Sequence, residues 1–342
     1  MSDSKSFELY TPEELKALIE GEFPTFSSQV VCYDDENLEL FNGNIAKRRG
    51  KLIIGDKLDE SKRSKVLGAV DRAGLRLPYR CELYPSATSQ RSDKYTQLGV
   101  KYSNIDDSFP TNPTFHNFND WFLDWVDGRI VVPDTCFIQE HYLSEVVLPR
   151  VSEKLRIKIP RFVILELEAI GNRDYKSEEI KNEKKRLVFS AFNEVRRLQL
   201  EMGAIHFPHP IKGDYLANFS QIAGSKGVDS FIRLEIWDNT RGRSTRLERE
   251  DDMVLLTRDM IMACTASAED IDTFYFSTAE PQKTEFYVNS NEVVSLLHET
   301  AVTFGEIRLK CSLMKEDLII EGMWSGKDIM DWGKKRLKGY SP

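Results

Sequence analysis

The chain has little of what most specialised chemistry would need. Its five cysteines, Cys32, Cys81, Cys136, Cys264 and Cys311, are isolated, odd in number and never spaced as CxxC. That excludes a zinc ribbon and a disulfide framework and fits a reducing compartment. Histidine is scarce, at five in 342 residues. The one HxxH, His206 to His209, is interrupted by Phe207 and Pro208, so it reads as a turn pair rather than a zinc site. No apolar run reaches the roughly 20 residues of a membrane span. The first residues, Met1-Ser-Asp-Ser-Lys-Ser-Phe-Glu-Leu, contain no apolar signal core. These absences predict a cytoplasmic protein with no membrane partner. There is no GxxxxGK[ST] loop, which argues against an ATP-driven motor.

Net charge, at −8, argues against a surface coated for nonspecific nucleic-acid binding. The charge is unevenly spread, however. Residues 1–46 carry ten acidic and two basic side chains, and residues 47–101 carry fourteen basic and six acidic. The basic segment includes Lys47, Arg48, Arg49, Lys51, Lys62, Arg63, Arg72, Arg76 and Arg80. Two readings stand side by side. Arg48, Arg49 and their neighbours follow a phosphate backbone, or the acidic N-terminal arm folds over them and neutralises them.

Periodicity divides the rest. Thr11-Pro12-Glu13-Glu14 starts a short helix to about Glu20. Gln29–Tyr33 and 52–54 read as strands and 61–73 as a helix. Residues 85–117 are rich in Ser, Thr, Asn, Asp and Pro and read as irregular connection. Phe118, Trp121, Phe122 and Trp125 share one helical face, which reads as core packing ahead of base stacking. From residue 129 strands alternate with helices. Strands are expected at 129–133, 155–159, 205–207, 253–257 and 273–276. Helices are expected at 138–154, 161–170, 177–202, 227–240 and 260–268. Such alternation predicts an α/β fold, a three-layer sandwich around a central, mostly parallel sheet. Residues 281–342 add a helix and a hairpin. The expected domains are 1–115, 116–280 and 281–342, the first an α+β region and the last an extension.

Two apolar runs lead straight into aspartates: Arg129-Ile-Val-Val-Pro-Asp134 and Met253-Val-Leu-Leu-Thr-Arg-Asp259. Runs of this kind fill parallel sheets, and ligands bind beyond the carboxyl ends of their strands. Carboxylates gathered there repel one another unless a cation sits between them. For all-oxygen donors the cation is Mg²⁺ or Mn²⁺. Glu166, in the apolar helix Val163-Ile-Leu-Glu-Leu, is costly to bury without a partner or metal. Asp229 opens the 227–240 helix. Each aspartate alone reads as a helix cap; the four acids in this order read as a site. Glu168 competes with Glu166, and Asp252 competes less well with Asp259. Thr135 and Thr257 are placed to orient a water or a carboxylate, and Arg233 and Arg258 to meet phosphate.

The order Val-Pro-Asp134-Thr-Cys, Pro160…Leu165-Glu166-Leu, Asp229-Ser-Phe-Ile-Arg, Leu-Leu-Thr-Arg-Asp259 resembles that of PIN domains, over about residues 129–278. The resemblance implies a PIN-like fold whose metal-binding and catalytic acids are Asp134, Glu166, Asp229 and Asp259. It implies a Mg²⁺- or Mn²⁺-dependent endoribonuclease, with nucleic acid as partner, RNA ahead of DNA. It leaves room for a homo-oligomer. The alternative is a non-catalytic nucleic-acid-binding or assembly module on the same fold. A phosphatase would want a second aspartate where Cys136 stands, and a receiver domain would want paired acids on an early strand.

Overall fold

The computed structural model describes residues 8–10, 12–22, 29–34, 37–44, 50–75, 79–84, 126, 128–148, 155–206, 228–240, 253–278, 284–311, 317–322 and 337–340. In chain order the first elements are β1 (Glu8–Tyr10), α1 (Pro12–Glu22), β2 (Gln29–Tyr33), β3 (Glu39–Asn44), β4 (Gly50–Ile54), α2 (Glu60–Arg72) and β5 (Tyr79–Tyr84). Then come β6 (Ile130–Pro133), α3 (Thr135–Gln139), a π-helical turn (Leu143–Val147), β7 (Arg156–Ile159), α4 (Arg161–Asn172), α5 (Glu178–Met202), β8 (Ile205–His206) and α6 (Val228–Thr240). Last are β9 (Met253–Thr257), α7 (Met260–Ala268), β10 (Thr273–Thr278), β11 (Glu285–Val288), α8 (Ser290–Phe304), β12 (Glu306–Cys311), β13 (Leu318–Gly322) and β14 (Leu337–Tyr340). No helix among the described residues is long and apolar enough to cross a membrane.

Two compact units divide the chain. One takes Met1–Arg76, Asp174–Asn193 and Glu280–Pro342; the other takes Leu77–Arg173 and Glu194–Ala279. Strand pairing therefore cuts across the expected partition at 115 and 280. Residues 30–33 pair with 308–311 in a single sheet, and β5 joins the second unit by pairing antiparallel with β10.

The first unit is an antiparallel sheet in the order β1-β14-β13-β12-β2-β3-β4-β11. Its buried side chains alternate along the strands, as in β4 and β11, so one face meets the helices. Leu40, Phe41, Leu52, Ile307, Leu309 and Ile320 of the sheet share a core with Leu15, Val66, Val70, Leu296 and Leu297 of α1, α2 and α8. Arg72 of the basic segment is not at the surface. Its guanidinium is buried, pairs with Glu299 at 3.0 Å and donates to the Thr303 hydroxyl. Lys62 pairs with Asp34 of the acidic arm at 2.8 Å, as the neutralising account expects for that residue. Arg48, Arg49, Arg76, Asp252, the aromatic stripe at 118–125 and His209 lie outside the described residues.

Helix α8 shows how local chemistry sets an end. Asn289 and Glu292 form a capping box at its start. Gly305 stops it with φ 90°, and the Arg186 guanidinium donates to the carbonyls of Val302 and Thr303 at 2.8 and 3.1 Å. A Cβ on Gly305 would stand 3.1 Å from that guanidinium. Gly305→Ala should therefore cost about 2 kcal/mol from backbone strain alone. Arg186→Ala should cost about 1–2 kcal/mol from stranded carbonyls. In denaturant melts the double variant should lose less than the two added together, because removing the guanidinium relieves the crowding. Strict additivity would show that the added Cβ and the guanidinium do not crowd one another.

The second unit is α/β. Strands β10, β9, β6, β7 and β8 run parallel in that order, with β5 as an antiparallel edge. All residues of β6 and β9 are buried, so the middle of the sheet is covered on both faces. After β6 the chain lays β7 and β8 on one side, then returns to lay β9 and β10 on the other. The order of laying thus reverses between β6 and β9. The expected 138–154 helix is broken early. His141 takes φ 56°, a left-handed turn that ends α3 and starts the π-helical turn.

Candidate functional site

In open parallel sheets ligands bind where the order of laying reverses, beyond the carboxyl ends of the strands. Here that point lies past β6 and β9, where Asp134 and Asp259 stand. Asp134 caps α3, accepting from the Phe137 N–H at 2.7 Å. The Cys136 thiol lies 3.1 Å from both of its carboxylate oxygens. Thr257, fully buried at the end of β9, donates its hydroxyl to the other carboxylate oxygen. The same hydroxyl accepts from the Asp259 N–H at 2.9 Å. One threonine thus ties the two strand-end aspartates together. Asp259 caps α7, accepting from Ile261 and Met262 at 2.7 and 3.1 Å, and is exposed.

Glu166 and Asp229 arrive on α4 and α6, and the two helices are fastened to each other. Proline gives α4 no side-chain cap. Glu235 of α6 supplies one instead, accepting from the amides of Arg161 and Phe162 at 3.2 and 3.3 Å. Phe162 and Phe231 stack with centroids 4.9 Å apart. Glu166 is half-buried and accepts from the Thr135 hydroxyl. Glu168 is exposed.

Charge links the acids in a chain: Asp229 bears on Asp134 and Glu166, Asp134 on Glu166, and Asp259 on Asp229. Burial, with the Asp229 charge adding to it, pushes Asp134 up to about 6 against its hydrogen bonds. Burial, with the charges of Asp229 and Asp134, raises Glu166 to about 7 against Thr135 and the Arg173 cation. Burial and Asp259 raise Asp229, opposed by Arg233. Burial and the Asp134 charge hold the Cys136 thiol well up, so it stays protonated and donates. Carboxylates that raise one another's proton affinity are relieved by a proton or by a cation between them. The donors are carboxylate oxygens, which suit a hard divalent ion. As placed, no three or more His, Cys, Asp or Glu side chains among the described residues stand close enough to share one ion. Hydrogen bonds to Thr257 and Thr135 hold Asp134 and Glu166 in their present rotamers, and repulsion favours spreading.

The two nearby arginines are otherwise engaged. Arg233 is buried and bonds both carboxylate oxygens of Glu269, at 2.7 and 3.2 Å. Arg258 pairs with Glu140 and lies 4.2 Å over the Tyr142 ring. Sequence reasoning missed Glu235, Arg173 and the role of Cys136. Only Cys136 left a signal, two residues after Asp134.

No protein-family model matches the chain, and no curated protein does. Two solved chains match it. One is "a domain of a functionally unknown protein from Methanocaldococcus jannaschii DSM 2661", at 21% identity, covering 44% of this chain and 94% of that one, with a TM-score of 0.33.

Proposed function

We propose that the second unit is a PIN-like, metal-dependent nuclease that hydrolyses phosphodiester bonds of RNA, with Asp134, Glu166, Asp229 and Asp259 as its metal-binding acids. One observation carries this reading: Asp134 and Asp259 stand past the carboxyl ends of β6 and β9, where the order of a parallel sheet reverses, tied by Thr257, and the charges of Glu166 and Asp229, from two further segments, are linked to theirs. When bound, a Mg²⁺ or Mn²⁺ ion supplies a nucleophile made from water near neutral pH and a counter-charge for the leaving oxygen. Asp134, fixed by the Phe137 amide and the Thr257 hydroxyl, would be one of the ligands. Thr257 sets the spacing between Asp134 and Asp259. Thr135 orients Glu166. Asp229, in the first turn of α6, would be a further ligand. No nucleophilic Ser or Cys is required, and Cys136, kept as a thiol, orients the Asp134 carboxylate.

A second reading, a nucleic-acid-binding module that does not cut, draws on the capping roles of Asp134 and Asp259, which account for two of the acids without a metal. Incubation with single-stranded and structured RNA and DNA in Mn²⁺, Mg²⁺ or EDTA separates the two. The nuclease reading expects internal cuts in RNA with Mn²⁺ and none in EDTA. Cutting undiminished by EDTA rules out the metal site. Binding with no cut in any metal leaves the module.

A further inference from the structure

We propose that the second unit carries a small-molecule site at the amino edge of its sheet, away from the acids, and that this site takes a compact organic acid with an aliphatic body. A cleft of about 240 Å³ opens where β6 and β7 begin and α5 turns into β8. Ile130, Leu155, Ile157, Met202 and Ile205 give it an apolar lining, and Arg156 and Lys158 add two cations. Ile130 opens β6 and Asp134 follows its end. About 13 Å of strand therefore separates the cleft from the acids, at roughly 3.3 Å per residue. Neither metal nor nuclease activity is required of this site.

Two departures in the sequence make the cleft. Strands buried in a parallel sheet read as continuous apolar runs, as β6 and β9 do. Leu155-Arg-Ile-Lys-Ile alternates instead, which sets Arg156 and Lys158 on one face of β7. Lysine is seldom buried, yet Lys158 is only 5% exposed at the cleft. The second departure is the brevity of β8. Its two residues pair with Lys158 and Ile159, so among the described residues no strand flanks Arg156 and Ile157 on that side. Gly203, at φ 66°, turns the chain from α5 towards β8 and brings no side chain to the rim. Ile205 is 54% exposed, an apolar side chain at the mouth. Among the described residues no acid lines the cleft, in a chain whose net charge is −8. That local excess of positive charge favours an anion, and the five apolar side chains favour an aliphatic body. An apolar cavity of about 150 Å³ holds benzene, so on that scale this cleft holds roughly ten non-hydrogen atoms. Octanoate has that size and that chemistry.

The test titrates the full chain with octanoate near neutral pH in EDTA, which keeps metal from the acids at the other edge. Binding is read by calorimetry and by the rise in melting temperature. Octanoate should bind once per chain. 1-Octanol, with the same tail and no charge, should bind about tenfold more weakly. Hexanoate, two methylenes shorter, should also bind about tenfold more weakly. Arg156 and Ile205 are exposed, so Arg156→Gln and Ile205→Asp should fold as wild type does. The first removes a cation and the second adds an anion at the mouth, and each should weaken octanoate by about fivefold or more. Lys158→Met should narrow the gap between octanoate and octanol. If that variant does not fold, the two exposed ones decide. Octanol binding as tightly as octanoate overturns the proposal, because the cations then take no part. Octanoate binding indifferent to both Arg156→Gln and Ile205→Asp overturns it too, because the ligand then sits elsewhere. So does the failure of octanoate to bind at millimolar concentration.

Discussion

Asp134→Asn is expected to abolish most metal-dependent cleavage while leaving the fold intact and, without metal, more stable. A residue that merely supports a metal ligand costs about 10–100-fold when removed, so loss of a ligand itself should cost at least that. The fold should survive because asparagine also caps helices well. Its amide oxygen accepts from Phe137 as Asp134 does now. Its amide nitrogen meets Thr257, whose hydroxyl can turn toward the Asp259 carbonyl, 3.5 Å away. Stability should rise because the negative charge is unfavourable there. Moving a carboxyl from its ordinary 3.8 to about 6 costs the folded state about 3 kcal/mol at neutral pH, to order of magnitude. Rate assays and thermal melts in EDTA check both halves. Normal cutting by Asp134→Asn would reduce Asp134 to a cap.

In metal-free buffer, the melting temperature should fall as pH rises from about 4 to about 8. The folded values of Asp134, about 6, and of Glu166 and Glu235, about 7, lie above the ordinary carboxyl values, and Asp229 and Glu194 are raised too. The folded state then holds more protons than the unfolded chain in that window, so stability is lost as pH climbs through it. Mn²⁺ should reverse the loss, adding most above pH 7 and little near pH 5, where protons compete for the same oxygens. Glu235 is engaged by the Arg161 and Phe162 amides rather than by the other acids, so its share of the slope should persist in Mn²⁺ and vanish in Glu235→Gln. A flat profile in EDTA, or a Mn²⁺ shift equal at pH 5 and pH 8, would mean that the acids do not act together.

The middle of the second unit was legible because its signals are local. An apolar run ending in aspartate marks both strand and rim, and β6 and β9 lie where those runs fall. The helix carrying Glu166 was expected at 161–170 and spans Arg161–Asn172. What escaped depends on distant partners. Nothing in 30–33 announces 308–311, yet they pair. The strand 79–84 joins the second unit only through residues 273–278. Arg233 and Arg258 looked placed for phosphate because Glu269 and Glu140, which hold them, are far off in sequence. Arg72 counted as surface charge until Glu299 was found beside it in the core. His141 broke an expected helix through a backbone angle that histidine does not advertise.

The discontinuity of the first unit has a consequence for how the protein is made. Strand β2 emerges early from the ribosome, and its neighbour β12 comes near the end. At ribosomal speed the wait is on the order of tens of seconds. Through that interval β2 has β3 on one side and a bare edge on the other, the situation that invites mispairing with other chains. The second unit waits less long, since β6 meets β9 and β5 meets β10 once the chain has reached Ala279. Nascent chains stalled near that point should already carry the four acids on a formed sheet, while their first unit still lacks a central strand. A holding chaperone would then be needed longer by the first unit than by the second.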